Sequence, residues 1–191
     1  WIAVVLVLGI VGGTAWNEWS KARDRAAAQA FGDAVIAALD GRDASARRDA
    51  LAAIEATGER AAILRLMLSA EAAAIGSEAS RAEALAALDA VAADTSLPDR
   101  YRDMAVLRRV LLAHDAPAAE RRAALEPLTR PGQPYRALAL EQQAMIALET
   151  GARDEALAIL RALVNDQDAT AGLRQRVGQL IVVLDGNARA G

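Results

Sequence analysis

The stretch GARDEALAILRAL, residues 151–163, decides the fold. A turn glycine, Gly151, precedes Asp154 and Glu155, carboxylates that offset the positive end of a helix dipole in its first turn. After them, Ala156, Leu160 and Leu163 supply one small residue and two packing residues of the kind that recurs in stacked helical hairpins. The rest of the chain agrees. Aromatic residues make up 3% against an apolar fraction of 54%, and alanine dominates that fraction. Alanine is the best helix former, and its small side chain lets helices approach closely. No segment alternates apolar and polar residues for long, and β-branched residues are sparse beyond the first twelve positions. The sequence predicts an all-α fold.

Boundary signals divide the chain into helices. From Asn17 to about Leu39 neither proline nor a turn cluster intervenes, which predicts one helix with Phe31, Val35 and Leu39 as an apolar stripe. Asp40-Gly41-Arg42-Asp43 stops it. Gly58 separates helices at about 44–57 and 59–75, and Gly76-Ser77 precedes Ser80-Arg-Ala-Glu83, which reads as a capping box. Ser96-Leu-Pro-Asp99 opens the next helix, with Pro98 in the first turn where its missing N–H does no harm. Asp115 and Pro117 open a sixth helix that Thr129 to Gly132 close, and Pro134 opens a seventh. After the turn at Gly151, Asp168 or Thr170 opens the last helix, which is expected to end at Asp185-Gly186.

Overlaying the pairs exposes a period. Tyr101-Arg-x-x-Ala105 recurs 34 residues later as Tyr135-Arg-x-x-Ala139, and Ala113 recurs as Ala147. With one extra residue, Ala123-Ala-Leu-Glu-Pro-Leu128 matches Ala158-Ile-Leu-Arg-Ala-Leu163. Two helices per unit of about 34 residues resemble tetratricopeptide repeats, here degenerate, with the final helix as a cap. The division expected is an anchor at 1–20, a juxtamembrane helical extension at 21–43 and a tetratricopeptide-like repeat domain at 44–191.

The anchor is read from WIAVVLVLGIVGGTAW, where Thr14 is the one polar side chain between Trp1 and Trp16. A helix from Trp1 to Trp19 would rise roughly 27 Å, close to the ~30 Å hydrocarbon thickness. Trp1, Trp16 and Trp19 fall near its two ends, where amphipathic rings prefer the headgroup layer. The absence of an initial Met points to preceding residues that would complete the span. A buried core helix and a signal peptide cleaved near Gly13-Thr14-Ala15 are the competing readings. Gly9 and Gly13 form a Gly-x-x-x-Gly spacing that would let a second membrane helix pack closely. Lys21, Arg23 and Arg25 after the anchor, taken alone, favour a cytoplasmic domain.

Reactive chemistry is hard to place. A net charge of −3 and a pI near 5.3 give no basic footprint for nucleic acid. Cysteine is absent, which excludes disulfides and thiolate metal sites. With His114 as the only histidine, no multi-histidine site can form within one chain. No phosphate loop, dinucleotide fingerprint or nucleophile elbow occurs, so neither an enzyme, a cofactor nor a small-molecule substrate is expected. Arg47-Arg48-Asp49 and Arg121-Arg122 read as solvated faces.

What remains is a surface for binding proteins. In tetratricopeptide repeats the first helix of each pair lines the concave side. The offsets place Ile63, Leu66 and Ala70, then Met104, Leu107, Leu111 and His114, then Leu138, Glu141, Met145 and Leu148 along that side. Such a groove suits an amphipathic helix or unfolded segment, unless the chain's own helices, for instance 22–39, cover it.

Four stretches carry a family resemblance: VVLVLGIVGGTAWNEW (4–19), LPDRYRDMAVLRRVLL (97–112), LEPLTRPGQPYRALALEQQAMIALETGARDEALAIL (125–160) and AGLRQRVGQLIVVLDG (171–186). They resemble the YfgM-like family, ancillary subunits of the bacterial SecYEG translocon, in its alphaproteobacterial branch. The resemblance implies an inner-membrane protein with a periplasmic repeat domain, associated with the translocon and with a membrane-anchored chaperone of the prolyl-isomerase type or a nascent chain. That orientation overrides the hint from the three basic residues. The alternative is a structural accessory subunit of a respiratory or photosynthetic inner-membrane complex, held through Gly9 and Gly13.

Overall fold

The computed structural model describes the backbone of residues 2–189 and the side chains of residue 19 and of 21–186. It is all-helical: α1 (Ile2–Leu39), α2 (Ala44–Ala52), α3 (Gly58–Ile75), α4 (Glu78–Ala93), α5 (Asp99–Leu112), α6 (Ala118–Leu125) with a 3-10 turn at Glu126–Thr129, α7 (Arg136–Glu149), α8 (Arg153–Val164) and α9 (Ala171–Arg189). No strand occurs among the described residues. The apolar side chains that carry the anchor expectation, and Gly9 and Gly13 with them, lie outside the residues whose side chains are described. Within the described residues no helix is long and apolar enough to cross a membrane.

Helix starts follow local capping chemistry. Asp43 accepts the Ala46 N–H at 2.8 Å at the head of α2, satisfying one of the donors that a first turn leaves without an intrahelical partner. Pro98 and Pro117 stand immediately before α5 and α6. Gly76 ends α3 with φ +75, a left-handed conformation that side chains with a Cβ resist.

Three boundaries and one buried position differ from the sequence reading. The α4 cap is Ser77, whose hydroxyl accepts the Ser80 N–H at 3.1 Å, so Ser80 is inside the helix and is not the head of a capping box. The second helix stops at Ala52 instead of 57, because Ile54 and Ala56 turn aside to pack against Leu51 and Leu64. On α1, Ala38 is buried and Leu39 exposed. At 3.6 residues per turn, position 38 stays nearer the Phe31–Val35 face than position 39 does. Finally, α9 opens with Thr170, whose hydroxyl accepts the Leu173 N–H, and runs past Asp185-Gly186 to Arg189.

Each helix packs mainly on its neighbours in sequence, and α3 also touches α5. The result is a stack of helical pairs with the core distributed along it. Ala38, Leu51 and Leu64 form its first part; Leu66, Leu88, Val91 and Leu97 the second; Leu107, Val110, Leu125, Leu128 and Ile146 the third; Leu160, Leu163, Leu173 and Val177 the last. Residues paired by the repeat offset share an environment. Ala105 and Ala139 are both fully buried, as are Leu125 and Leu160, while Leu128 and Leu163 are nearly so. Tyr101 and Tyr135 both lie half-buried against the core. The period is therefore a packing period.

Arginines fasten the stack. The fourth residue of α2, α4 and α6 is arginine in each case, and each reaches the C-terminal part of the following helix. Arg47 donates to Glu71 of α3 at 2.9 Å, and Arg81 donates to the Leu112 carbonyl at 3.0 Å and to Asp115 beyond α5. Arg121 pairs with Glu149 at the end of α7. In α8 the first residue, Arg153, takes that role and donates to the Leu184 carbonyl of α9. A cation at a helix C-terminus complements its exposed carbonyls, and the contact requires adjacent helices to run antiparallel. Arg48 to Glu83 and Arg122 to Glu155 add ties between alternate helices. The reading of Arg121 as part of a solvated face is thus corrected, since it is only 8% exposed; Arg47, Arg48 and Arg122 remain partly exposed while paired.

Candidate protein-binding groove

Helices α3, α5, α7 and α9 turn one side toward two clefts that meet at Leu111. The smaller, about 340 Å³, lies between α3 and α5 and is lined by Ser69, Ala70, Ala73, Leu88, Arg108, Leu111 and Leu112. The larger, about 480 Å³, is bounded by α5, α6, α7 and α9, with Leu111, His114, Arg121, Glu141, Gln142, Met145, Glu149, Arg176 and Leu180 in its walls. Small side chains at Ala70 and Ala73 leave the first cleft open, whereas the longer residues of α7 and α9 wall the second.

The residues expected along this side divide three ways. Leu111, Leu138 and Met145 are exposed, at 51%, 38% and 37%; Leu111 and Met145 stand in the cleft walls, and Leu138 lies outside them, two turns before Met145 on α7. Leu66 and Leu107 are buried in the core and do not line the groove. Ile63, Met104 and Leu148 are half-buried, Met104 against the second part of the core and Leu148 against the last. The difference arises because consecutive turns of an inner helix must serve both the next pair and the groove, and a 3.6-residue turn rotates some positions inward. Ala70 and His114 are exposed in the cleft walls.

Glu141 lines the larger cleft and also ties two helices together. It is buried, and Arg176 of α9 donates to both its oxygens at 2.8 Å. That carboxylate holds the Arg176 guanidinium above its ordinary pKa, and the two-point geometry fixes α9 against α7. Across the cleft Arg121 donates to the Ala116 carbonyl at 3.1 Å while pairing with Glu149. Arg108 donates to the Leu66 carbonyl at 2.6 Å. These charged groups of the walls are paired within the chain. Sequence reasoning missed Arg108, Arg121, Glu149 and Arg176; the recurrence of arginine at the fourth helical position was the available signal for Arg121.

The extension at 22–39 does not cover the groove. It packs on α2 and faces the 53–57 loop across a separate cleft of about 650 Å³. One end of the groove is instead closed by α9, through Arg176 and Leu180. No family model, curated protein or solved structure matches the chain. Among the described residues no three His, Cys, Asp or Glu side chains gather where a metal ion would sit. The arrangement sets exposed apolar side chains beside charged groups that are already paired.

Proposed function

We propose that the protein is a single-pass inner-membrane adaptor of the YfgM-like kind, whose periplasmic, tetratricopeptide-like domain holds a partner segment beside a SecYEG-type translocon. The observation that carries the binding reading is the exposed strip of Leu111, Leu138 and Met145 along α5 and α7. Covering such side chains returns about 25 cal/mol per Å² of apolar area. Because the carboxylates and guanidiniums of the wall already have partners, an apolar segment can enter without leaving them unsatisfied. Methionine at position 145 adapts its shape to varied side chains, as suits a nascent chain or a chaperone surface. The repeat register is supported by the matched burial at offsets of 34 and 35 residues. Membrane attachment is supported by the apolar run at 1–16.

The test is site-specific photocrosslinking in cells at Leu111, Leu138 and Met145, with the exposed outer position Ala158 as control. The expected products are adducts to a translocon subunit, a membrane-anchored periplasmic chaperone or a secretory chain, absent from position 158. Adducts confined to cytoplasmic proteins would end the proposal. Stoichiometric purification with a cofactor-bearing respiratory or photosynthetic complex would replace it with an accessory-subunit role.

A further inference from the structure

We propose that Trp19, Lys21, Arg23 and Arg25 form a collar around α1 that binds the phosphate headgroups of anionic phospholipid. The proposal rests on the reading of residues 1–20 as a membrane anchor and adds a lipid-recognising site at its exit. The Arg23 guanidinium lies over the Trp19 ring, 4.7 Å from its centre. An indole at the bilayer boundary prefers the headgroup layer, and a stacked guanidinium keeps its edge donors for phosphate oxygens. Lys21 and Arg25 stand one turn apart on the other side of the helix, since two residues advance a helix by roughly 200°.

This two-sided distribution discriminates between attitudes of the helix. A helix lying in the interface collects its cations on one face, opposite an apolar one. Cations on both faces within a short axial span suit a helix that passes upright through the headgroup layer. From Trp19 to Arg25 the rise is about 9 Å, comparable with the ~5–8 Å of one interfacial layer. All described side chains from 19 to 30 are exposed, and Ala27 and Ala30 line the cleft toward the 53–57 loop. The collar therefore ends where the helical array begins.

Charge elsewhere reinforces the arrangement. Of 22 basic and 25 acidic residues, three and two fall within the first 25 positions, leaving 19 basic against 23 acidic in the remainder. Anionic phospholipid would attract the collar and repel the net-acidic array.

The experiment uses the full chain reconstituted into phosphatidylglycerol–phosphatidylcholine vesicles, with trace spin-labelled lipid of either headgroup. The expected result is a several-fold preference for motionally restricted phosphatidylglycerol, reduced to near parity in a Lys21→Gln, Arg23→Gln, Arg25→Gln variant that still floats with the vesicles. Because the chain has no cysteine, single labels at Ala22→Cys and Ala30→Cys also report depth, and the collar requires headgroup depth at 22 and water at 30. Flotation without headgroup preference, a preference unchanged in the variant, or equal depth at the two labels overturns the collar while leaving the anchor intact. Failure of the native chain to float overturns the anchor reading, and the collar with it.

Discussion

The two ends of the helical stack are built on one plan with different fillings. At the C-terminal end, α7, α8 and α9 enclose Leu160, Leu163, Leu173 and Val177 with Ala144, Ala147 and Ala156 between them, all nearly or fully buried. At the N-terminal end, the part of the core joining α1, α2 and α3 has Leu51 fully buried, with Ala38 and Leu64 beside it and half-buried Phe31, Val35 and Met67 at its edge. The arginine tie is present at both. Arg47 reaches Glu71 and also donates to the Gly41 carbonyl at 3.4 Å, while Arg153 reaches Leu184. A repeat can thus lose much of its apolar filling and keep its register, because the tie specifies which helix end meets which helix start.

The largest expected effect sharpens that contrast. Leu160→Ala should lower the unfolding free energy by about 3–5 kcal/mol, since α7, α8 and α9 enclose the resulting cavity. Leu51→Ala should lose only about 2–3 kcal/mol, because the half-buried residues around it can move in. Urea unfolding of the full chain in mild detergent, followed by circular dichroism, measures both; equal losses would remove the distinction between the ends.

Next in size is the tie itself. Arg121→Met strips the buried partner of Glu149 and of the Ala116 carbonyl, and about 1–3 kcal/mol of stability should go with it, moderated because Glu149 is half-exposed. The same exchange at Arg47 should shift the urea midpoint less. If Arg121→Met were neutral while Arg47→Met disrupted folding, the shared role assigned to these arginines would be wrong.

A smaller pair tests backbone against space. Gly151 turns the chain from α7 into α8 with φ +79, so Gly151→Ala should cost about 1–2 kcal/mol. Gly178, inside α9, has open space where a Cβ would stand, and Gly178→Ala should gain about 0.5–1 kcal/mol. Opposite signs in thermal melts are expected; two losses would mean that α9 packs more tightly than described.

Acid should loosen the inter-helix ties with the smallest effect. Arg81 holds Asp115, Arg122 holds Glu155, and Arg136 with the Asp168 N–H holds Asp166 below ordinary carboxylate values. Groups whose folded pKa is depressed add stability above their unfolded values and lose it as pH falls through the folded ones. The melting temperature should accordingly be flat from neutral to about pH 5 and decline below about pH 4. Asp115→Asn should flatten part of that decline, and an unchanged slope in the variant would exclude Asp115 from it.

Much of this was readable in the chain. Prolines, turn glycines and capping groups located most helix starts because such signals act within a few residues. The 34-residue echo from Tyr101 to Tyr135 foretold shared burial, since a repeated contact selects a repeated side chain. The groove was only half legible. Of the residues read along the inner side, Leu111, Leu138 and Met145 are exposed, whereas Leu66 and Leu107 are buried. Their rotation depends on the crossing of neighbouring helices, which periodicity alone does not fix. Glu141 does line the larger cleft, but its two-point pairing with Arg176, 35 positions away, has no local signal.

By itself, the sequence determined a helical chain, its approximate division into pairs and the residue types available for burial, all consequences of local propensity and spacing. Only the tertiary structure decided which arginines clasp which helix ends, which of the inner leucines remain uncovered, and that α9, not the 22–39 extension, closes the groove. Those outcomes depend on side chains from distant positions competing for the same space and the same hydrogen-bond partners. Such competition has no local signature.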